Sequence, residues 1–293
     1  MIGVVGSINM DMMISSERIP KKGETVKGES IKYLDGGKGA NQAVAIARLK
    51  ADVAMFGKVG SDDHGKNLIA NLKNNKVNVD NIAIENNINS GLAIITIGEN
   101  DNTIVVVPGA NNKVDKNYID NIKSELVKCE LVVLQHEIPQ ETNEYVIKIC
   151  KENNIKVVLN PAPASAVSKE IVANVDYITP NEHEMKLIFG DRSVEEVVNE
   201  YKGKVLVTLG SKGVAAYVEG KGAVIVPCRS GCKTVDTTGA GDTFNGAFCV
   251  ALIKGYDMEK ALKFANIAAG MSTEKIGAQS GMPELNQVES EMK

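Results

Sequence analysis

From about residue 115 onward the chain repeats one unit: a short apolar run, a polar or glycine-rich turn, then a stretch with helical spacing. Residues 131–134 run into Gln135-His136-Glu137-Ile138-Pro139, 157–159 into Asn160-Pro161-Ala162-Pro163, 177–179 into Pro180-Asn181-Glu182-His183-Glu184, and 205–208 into Leu209-Gly210-Ser211-Lys212-Gly213. Short continuous apolar runs fit strands buried on both faces, and helices between them point to a parallel sheet. Such a sheet gathers the turns after its strands at one rim, where α/β proteins hold ligands. The runs at 2–5 and 53–56 extend the pattern toward the N-terminus, and Leu68, Ile69 and Leu72 mark a further helix. The expected fold is α/β, a central mostly parallel sheet flanked by helices, with residues 1–293 as one domain.

A different pattern interrupts the rhythm. Gly91-Leu92-Ala93-Ile94-Ile95-Thr96-Ile97 and Thr103-Ile104-Val105-Val106-Val107 flank the polar turn Gly98-Glu99-Asn100-Asp101-Asn102, which reads as a hairpin. An apolar sheet outside the main one needs something to cover. We therefore expect a small β lid from about 10–34 and 90–108, closing over Asn9, Asp11, Gly37 and Asn41 and able to pair with a second subunit.

The 43% hydrophobic and 24% charged content fits an ordered globular chain, and a net charge of −4 offers no field for nucleic acid or an anionic membrane. Met1-Ile2-Gly3-Val4-Val5 lacks a basic leader, and no run approaches 18 apolar residues, so the expected location is cytoplasmic. The cysteines, Cys129, Cys150, Cys228, Cys232 and Cys249, are odd in number and lack framework spacing, so free thiols are expected.

The chemistry concentrates in Val235-Asp236-Thr237-Thr238-Gly239-Ala240-Gly241-Asp242-Thr243-Phe244. Its glycines let backbone N–H groups face an anion. Phe244, Ala247, Phe248, Ala251 and Leu252 then follow a helical period, which puts the glycine turn at a helix N-terminus, where the dipole favours negative charge. A carboxylate at such a place is repelled by a bound anion unless it takes up a proton. Asp242 thus reads as a general base, a role worth roughly 10²–10⁴ in rate, with Gly239, Ala240 and Gly241 as the anion hole. The plain alternative is an ordinary first-turn aspartate.

Asn9 and Asp11 follow the first strand and suit a polar ligand, or simply cap a turn. In Asp35-Gly36-Gly37-Lys38-Gly39-Ala40-Asn41-Gln42-Ala43 the glycines permit close backbone approach before a helix. Lys38 precedes Gly39 rather than Ser or Thr, so this is not a Walker loop, and Asn41 suits a hydroxyl-rich ligand. Asn181-x-x-Glu184 suits Mg²⁺, which takes few carboxylates alongside phosphate oxygens, or else a capping box. Glu137, Asn181, Glu184 and Ser211 would share one crevice with Asp242, while His136 and His183 read as packing or surface residues. Met258, Ala261, Leu262, Ala265 and Ala269 mark a late helix, with Asn266 at its edge, packed on the Gly241 helix. Lys275-Ile276-Gly277-Ala278-Gln279-Ser280-Gly281 forms a second glycine loop.

Together these pieces resemble the ribokinase family of sugar kinases over nearly the whole chain. Asp236-Thr237-Thr238-Gly239-Ala240-Gly241-Asp242-Thr243-Phe244 matches its C-terminal signature and Gly36-Gly37-Lys38-Gly39-Ala40-Asn41 its N-terminal one. The resemblance implies ATP-dependent phosphorylation of D-ribose at the 5-hydroxyl, with Asp242 as base. It implies sugar contacts from Asn9, Asp11, Gly37, Lys38, Gly39, Ala40, Asn41 and Glu137, and ATP contacts from Asn181, Thr208, Gly210, Ser211, Gly213, Gly241 and Asn266. Glu184 would organise Mg²⁺, and an activating K⁺ would lie at Asp236, Thr238, Ser272, Lys275 and Gly277. One departure stands out: Gly281, with Ser280 beside it, occupies the place of an expected serine cation ligand. A homodimer joined through the lids is also implied. The rival readings are a kinase of deoxyribose, fructose or a nucleoside such as pseudouridine, and a non-catalytic sugar sensor. The hairpin holds no aromatic residue to stack on a purine, which argues against adenosine.

Overall fold

The protein, described by a computed structural model over residues 1–99 and 101–292, begins with β1 (Ile2–Val5), β2 (Asn9–Ser16) and β3 (Gly28–Gly36). There follow α1 (Lys38–Arg48), β4 (Val53–Gly60), α2 (Asp63–Asn74), β5 (Ile82–Glu85) and the hairpin β6 (Gly91–Gly98) and β7 (Asp101–Val107). The α/β repeat then runs α3 (Lys116–Leu126), β8 (Leu131–Gln135), α4 (Gln140–Glu152), β9 (Lys156–Asn160), α5 (Lys169–Asn174), β10 (Tyr177–Ile178), α6 (Glu182–Phe189) and α7 (Val194–Glu200). The last part holds β11 (Val207–Thr208), β12 (Val214–Val218), β13 (Gly222–Val226), α8 (Ala240–Ile253), α9 (Met258–Ser272) and α10 (Leu285–Glu291).

Six strands form the central sheet in the order β10-β9-β8-β1-β4-β5, every neighbouring pair parallel. Alternate residues of one strand feed opposite cores, as the pleat requires. From β8, Leu131 and Val133 join the cluster that includes Ile46, Phe248 and Phe264, while Val132 and Leu134 join Ile119, Val146 and Ile149 on the other face. Both faces are thereby covered, which explains why these strands read as continuous apolar runs rather than alternating ones.

The run at 205–208 departs from the expectation of a further regular parallel strand. Val205 and Asn181 each make a parallel bridge that continues the sheet, to Ile178 and Thr208 respectively. Its end, β11, belongs instead to an antiparallel sheet with β12 and β13.

The hairpin β6–β7 stands outside the central sheet, in a four-stranded sheet of order β3-β2-β6-β7. Asn100, at its turn, lies outside the described residues. The pairs β2–β3 and β6–β7 are antiparallel, but β2 and β6 run parallel, from Asn9 opposite Gly91 to Ser15 opposite Ile97. This sheet leaves Ile31, Tyr33, Ile104, Val105, Val106 and Val107 exposed. Among the described residues no helix is long and apolar enough to cross a membrane, and all five cysteines are free.

Candidate active site

The turn after β1 and the start of α1 pack against each other without room for side chains. Gly37 caps α1 at φ +87, and a Cβ there would lie 2.7 Å from the Asn9 nitrogen. Ala40 N–H donates to the Ser7 carbonyl (2.9 Å), so the glycine run is fixed to the end of β1. Glu137, just past β8, accepts on Oε2 from Ser7 Oγ (2.5 Å) and from Lys38 N–H (3.0 Å). Asn9 is buried, and its Oδ1 accepts from Asn111 Nδ2 at 2.6 Å. Asn111, itself buried, in turn accepts on Oδ1 from Ile8 N–H at 2.9 Å.

Asp11 faces this cluster from β2. Burial, then the charges of Glu137, Asp242 and Asp35, push its carboxyl up to about 7, with Lys38 opposing. The Lys38 ammonium is held above the usual lysine range, first by Asp242 and then by Glu137, against the cost of burial. One cation is thus set among several carboxylates in a partly dehydrated space, a condition that strengthens each pairwise term.

At the other side of the cleft Gly239 caps α8 in the left-handed region, at φ +77, where a Cβ would approach the Ala278 carbonyl to 2.6 Å. Ala240 N–H turns back to the Thr237 carbonyl (3.2 Å). Gly241 is different: among the described residues, nothing beyond its chain neighbours and its own helix backbone lies within 4 Å of a Cβ built there. Asp242, 5% exposed, accepts from Asn41 Nδ2 on Oδ2 (2.9 Å) and from Gln42 Nε2 on Oδ1 (3.0 Å). The two glycine motifs therefore meet at this carboxylate, although 201 residues separate Asn41 from Asp242.

Two cavities adjoin here. The smaller, about 250 Å³, is lined by Lys38, Asn181, Glu184, Thr208, Gly239 and Asp242, among others. The larger, about 460 Å³, shares Asn181, Thr208 and Gly241 and extends past Gly210 and Gly213 to Asn266, Phe244 and Ala269. A compact polar chamber thus opens into a longer one with an apolar wall. That shape suits a phosphate chain leading to a heterocycle, with a hydroxyl-bearing acceptor at the Asp242 end.

Several sequence-derived residues have duties of their own. Asn181 and Glu184 form a reciprocal capping box, each side chain accepting from the other's backbone N–H at 2.8 Å. Glu184 is nonetheless a cavity-lining carboxylate. Among the described residues no group of three or more His, Cys, Asp or Glu is placed to hold a metal, so the donor set fits Mg²⁺ only as an ion that arrives on phosphate oxygens and keeps its waters. Asn266 Nδ2 donates to the Val226 and Pro227 carbonyls (2.8 and 3.0 Å), fixing the edge of the larger cavity. Ser211 is exposed and absent from the lining of either cavity. His136 pairs with Ser165 (2.7 Å), and exposed His183 borders the larger cavity.

Asp236 links the two C-terminal glycine loops, accepting from Thr238 N–H and Oγ1 (2.9 and 2.7 Å) and from Gly277 N–H (2.8 Å). These donors hold its carboxyl below the ordinary range despite partial burial. Ser272 Oγ donates to the Ala269 carbonyl at 2.8 Å. At 281 a Cβ would lie 2.0 Å from the Ser272 carbonyl, so glycine is required by the packing, and Ser280 turns its hydroxyl to the Ile276 carbonyl.

Asn111, Asn160, Thr179 and Asn245 are not among the site residues expected from the sequence, yet the last three line the smaller cavity. Asn160 and Thr179 carried a signal, since each ends an apolar run at the ligand-holding rim. Asn111 follows Pro108-Gly109-Ala110 just after the hairpin, and nothing local distinguishes it from a surface amide.

The model of the pfkB family carbohydrate kinases matches residues 1–285. The chain is 46% identical over 288 residues to a ribokinase of Bacillus subtilis, covering 98% of each. It is 44% identical over 293 residues to a ribokinase of Lactococcus lactis, covering 100% of this chain and 97% of the relative. The structure of Arabidopsis thaliana ribokinase complexed with ribose and ATP superposes with a TM-score of 0.90 at 34% identity, covering 100% of this chain and 98% of that one.

Proposed function

The chain belongs to the pfkB family of carbohydrate kinases, and from that premise we propose that it transfers the γ-phosphoryl group of ATP to the 5-hydroxyl of D-ribose. The observation that carries this reading is the position of Asp242, a buried carboxylate in the first turn of α8 where the two glycine motifs meet, lining the smaller cavity next to Gly241, which both cavities share. Asn9, Asp11, Glu137 and the backbone from Gly37 to Asn41 orient the pentose hydroxyls. The attacking hydroxyl gives its proton to the Asp242 carboxylate as its oxygen bonds to the γ-phosphorus and the bond to the β-phosphate oxygen breaks, releasing ADP. Charge that develops on the transferring group is met by the first-turn N–H groups of α8 and by the Lys38 ammonium. The open space beside Gly241 supports this, because the fold itself gives no reason to exclude a side chain there.

The longer cavity takes the nucleotide, with Asn181, Thr208, Gly210, Gly213 and Asn266 along it and Ser211 at its outer loop. Bound Mg²⁺ would neutralise phosphate charge, and Glu184, through water, is the residue that would hold it. We assign a monovalent cation, K⁺, to the loops joined by Asp236, with Thr238, Ser272, Lys275 and Gly277 around it. We further read the four-stranded sheet as a lid over the sugar, and its exposed apolar residues as the surface through which two subunits pair in the cytoplasm.

ADP release measured across ribose, deoxyribose, fructose, adenosine and pseudouridine tests the substrate. The proposal expects the highest kcat/KM with ribose. A clear preference for another acceptor would replace ribose in it, and no turnover with any sugar or nucleoside would favour a sensor.

A further inference from the structure

We propose that Gln279, Asn71 and Arg48 are positioning residues for Asp242, acting through a one-way chain of hydrogen bonds; the inference rests on the reading of Asp242 as the base. Arg48 Nε donates to Asn75 Oδ1 (3.1 Å), Asn75 Nδ2 to Asn71 Oδ1 (3.1 Å), and Asn71 Nδ2 to Gln279 Oε1 (2.8 Å). Gln279 Nε2 then donates to Asn41 Oδ1 (2.9 Å), whose Nδ2 donates to Asp242 Oδ2 (2.9 Å). The ends decide the direction. A guanidinium can only donate and a carboxylate can only accept, so each amide between them has one satisfactory orientation, with every N–H pointing toward the base.

A second, shorter branch has the same polarity. Gln135 Nε2 donates to Gln42 Oε1 (2.7 Å) and Gln42 Nε2 to Asp242 Oδ1 (3.0 Å). Gln135 Oε1 is buried and finds no donor among the described residues, yet turning that amide over would set two acceptors against each other. The branch is therefore kept in the orientation that presents N–H to Asp242, at the expense of an unpaired oxygen. Each carboxylate oxygen receives one amide and retains a lone-pair direction for the incoming proton. Arg48 also clamps the carbonyls of Gln279 and Met282 with Nη1 (2.6 and 3.0 Å), so one side chain sets both the start of the chain and the loop that carries its third amide. Bonds aligned in series polarise one another, and a base held by them meets the sugar hydroxyl in a fixed geometry.

The test uses the isosteric variants Gln279→Glu and Asn71→Asp, which replace a donor by an acceptor and so break the direction without changing shape. Both should lower kcat by roughly tenfold, leave KM for ATP within twofold of wild type, and move the acidic limb of the kcat–pH profile to higher pH. Melting temperature and ATP affinity are measured on the same samples. The proposal is contradicted if both variants keep the wild-type kcat and profile while Asp242→Asn is inactive, or if kcat falls only in proportion to lost ATP affinity and thermal stability. If Asp242→Asn itself turns over like wild type, it is the assignment of the base that fails.

Discussion

At Asp11, burial and neighbouring charges act on the carboxyl that is proposed to orient ribose. Its carboxyl is raised to about 7 in the folded protein, first by burial, so the unfolded chain gives up that proton at lower pH than the native one. The native state therefore loses stability as pH rises from about 4 through 7. Asp11→Asn removes this titration, and its melting temperature should exceed that of wild type by a margin that grows over that interval; a constant margin would contradict the linkage. If ribose binds the ionised form, the wild-type KM for ribose should fall as pH rises through 7 while that for ATP stays level. Asp11→Ala should accordingly raise the KM for ribose much more than that for ATP. At this scale Asp11, Asn41, Lys38 and Asp242 were legible because each lies in a glycine motif or just after a strand. Asn111, Gln42 and Gln279 were not assigned a role, because an amide that is buried and one that is solvated have the same one-letter code, and only long-range packing separates them.

Helix α8 begins with two glycines that answer different demands. Gly239→Ala would place a Cβ against the Ala278 carbonyl and force a left-handed φ, so it should cost about 1–3 kcal/mol of stability from the backbone alone. Gly241→Ala meets, among the described residues, nothing within 4 Å beyond its chain neighbours and its own helix backbone, and it adds helix propensity; its melting temperature should match or exceed that of wild type while kcat/KM for ATP falls. Equal thermal losses in both would mean that Gly241 is a folding residue. The Asp236 loops give a second prediction at this scale: exchanging K⁺ for tetramethylammonium should slow turnover reversibly, and indifference would remove the cation from the account. Strands such as β8 and β9 were evident from their apolar runs. The hairpin β12–β13 is not evident in the sequence, because Ala215, Ala216 and Ala223 dilute the β-branched signal on either side of the turn at Glu219-Gly220-Lys221.

Over the whole molecule, the α/β layering follows from buried parallel strands, while the four-stranded sheet depends on contacts that no local pattern announces. The sequence suggests the β6–β7 hairpin, but the parallel pairing of β2 with β6 joins segments with β3, β4, β5 and two helices between them. If lids pair between subunits, Val105→Lys on the exposed edge strand should shift sedimentation from dimer to monomer; an unchanged profile would place the interface elsewhere. The central claim concerns how the two halves of the cleft converge on one carboxylate. Its most direct measurement is ribose-dependent ADP release by Asp242→Asn at saturating ribose and MgATP, with ATP binding measured in parallel. The account predicts ATP binding near wild type and turnover reduced by roughly 10² or more; turnover at the wild-type rate would contradict it.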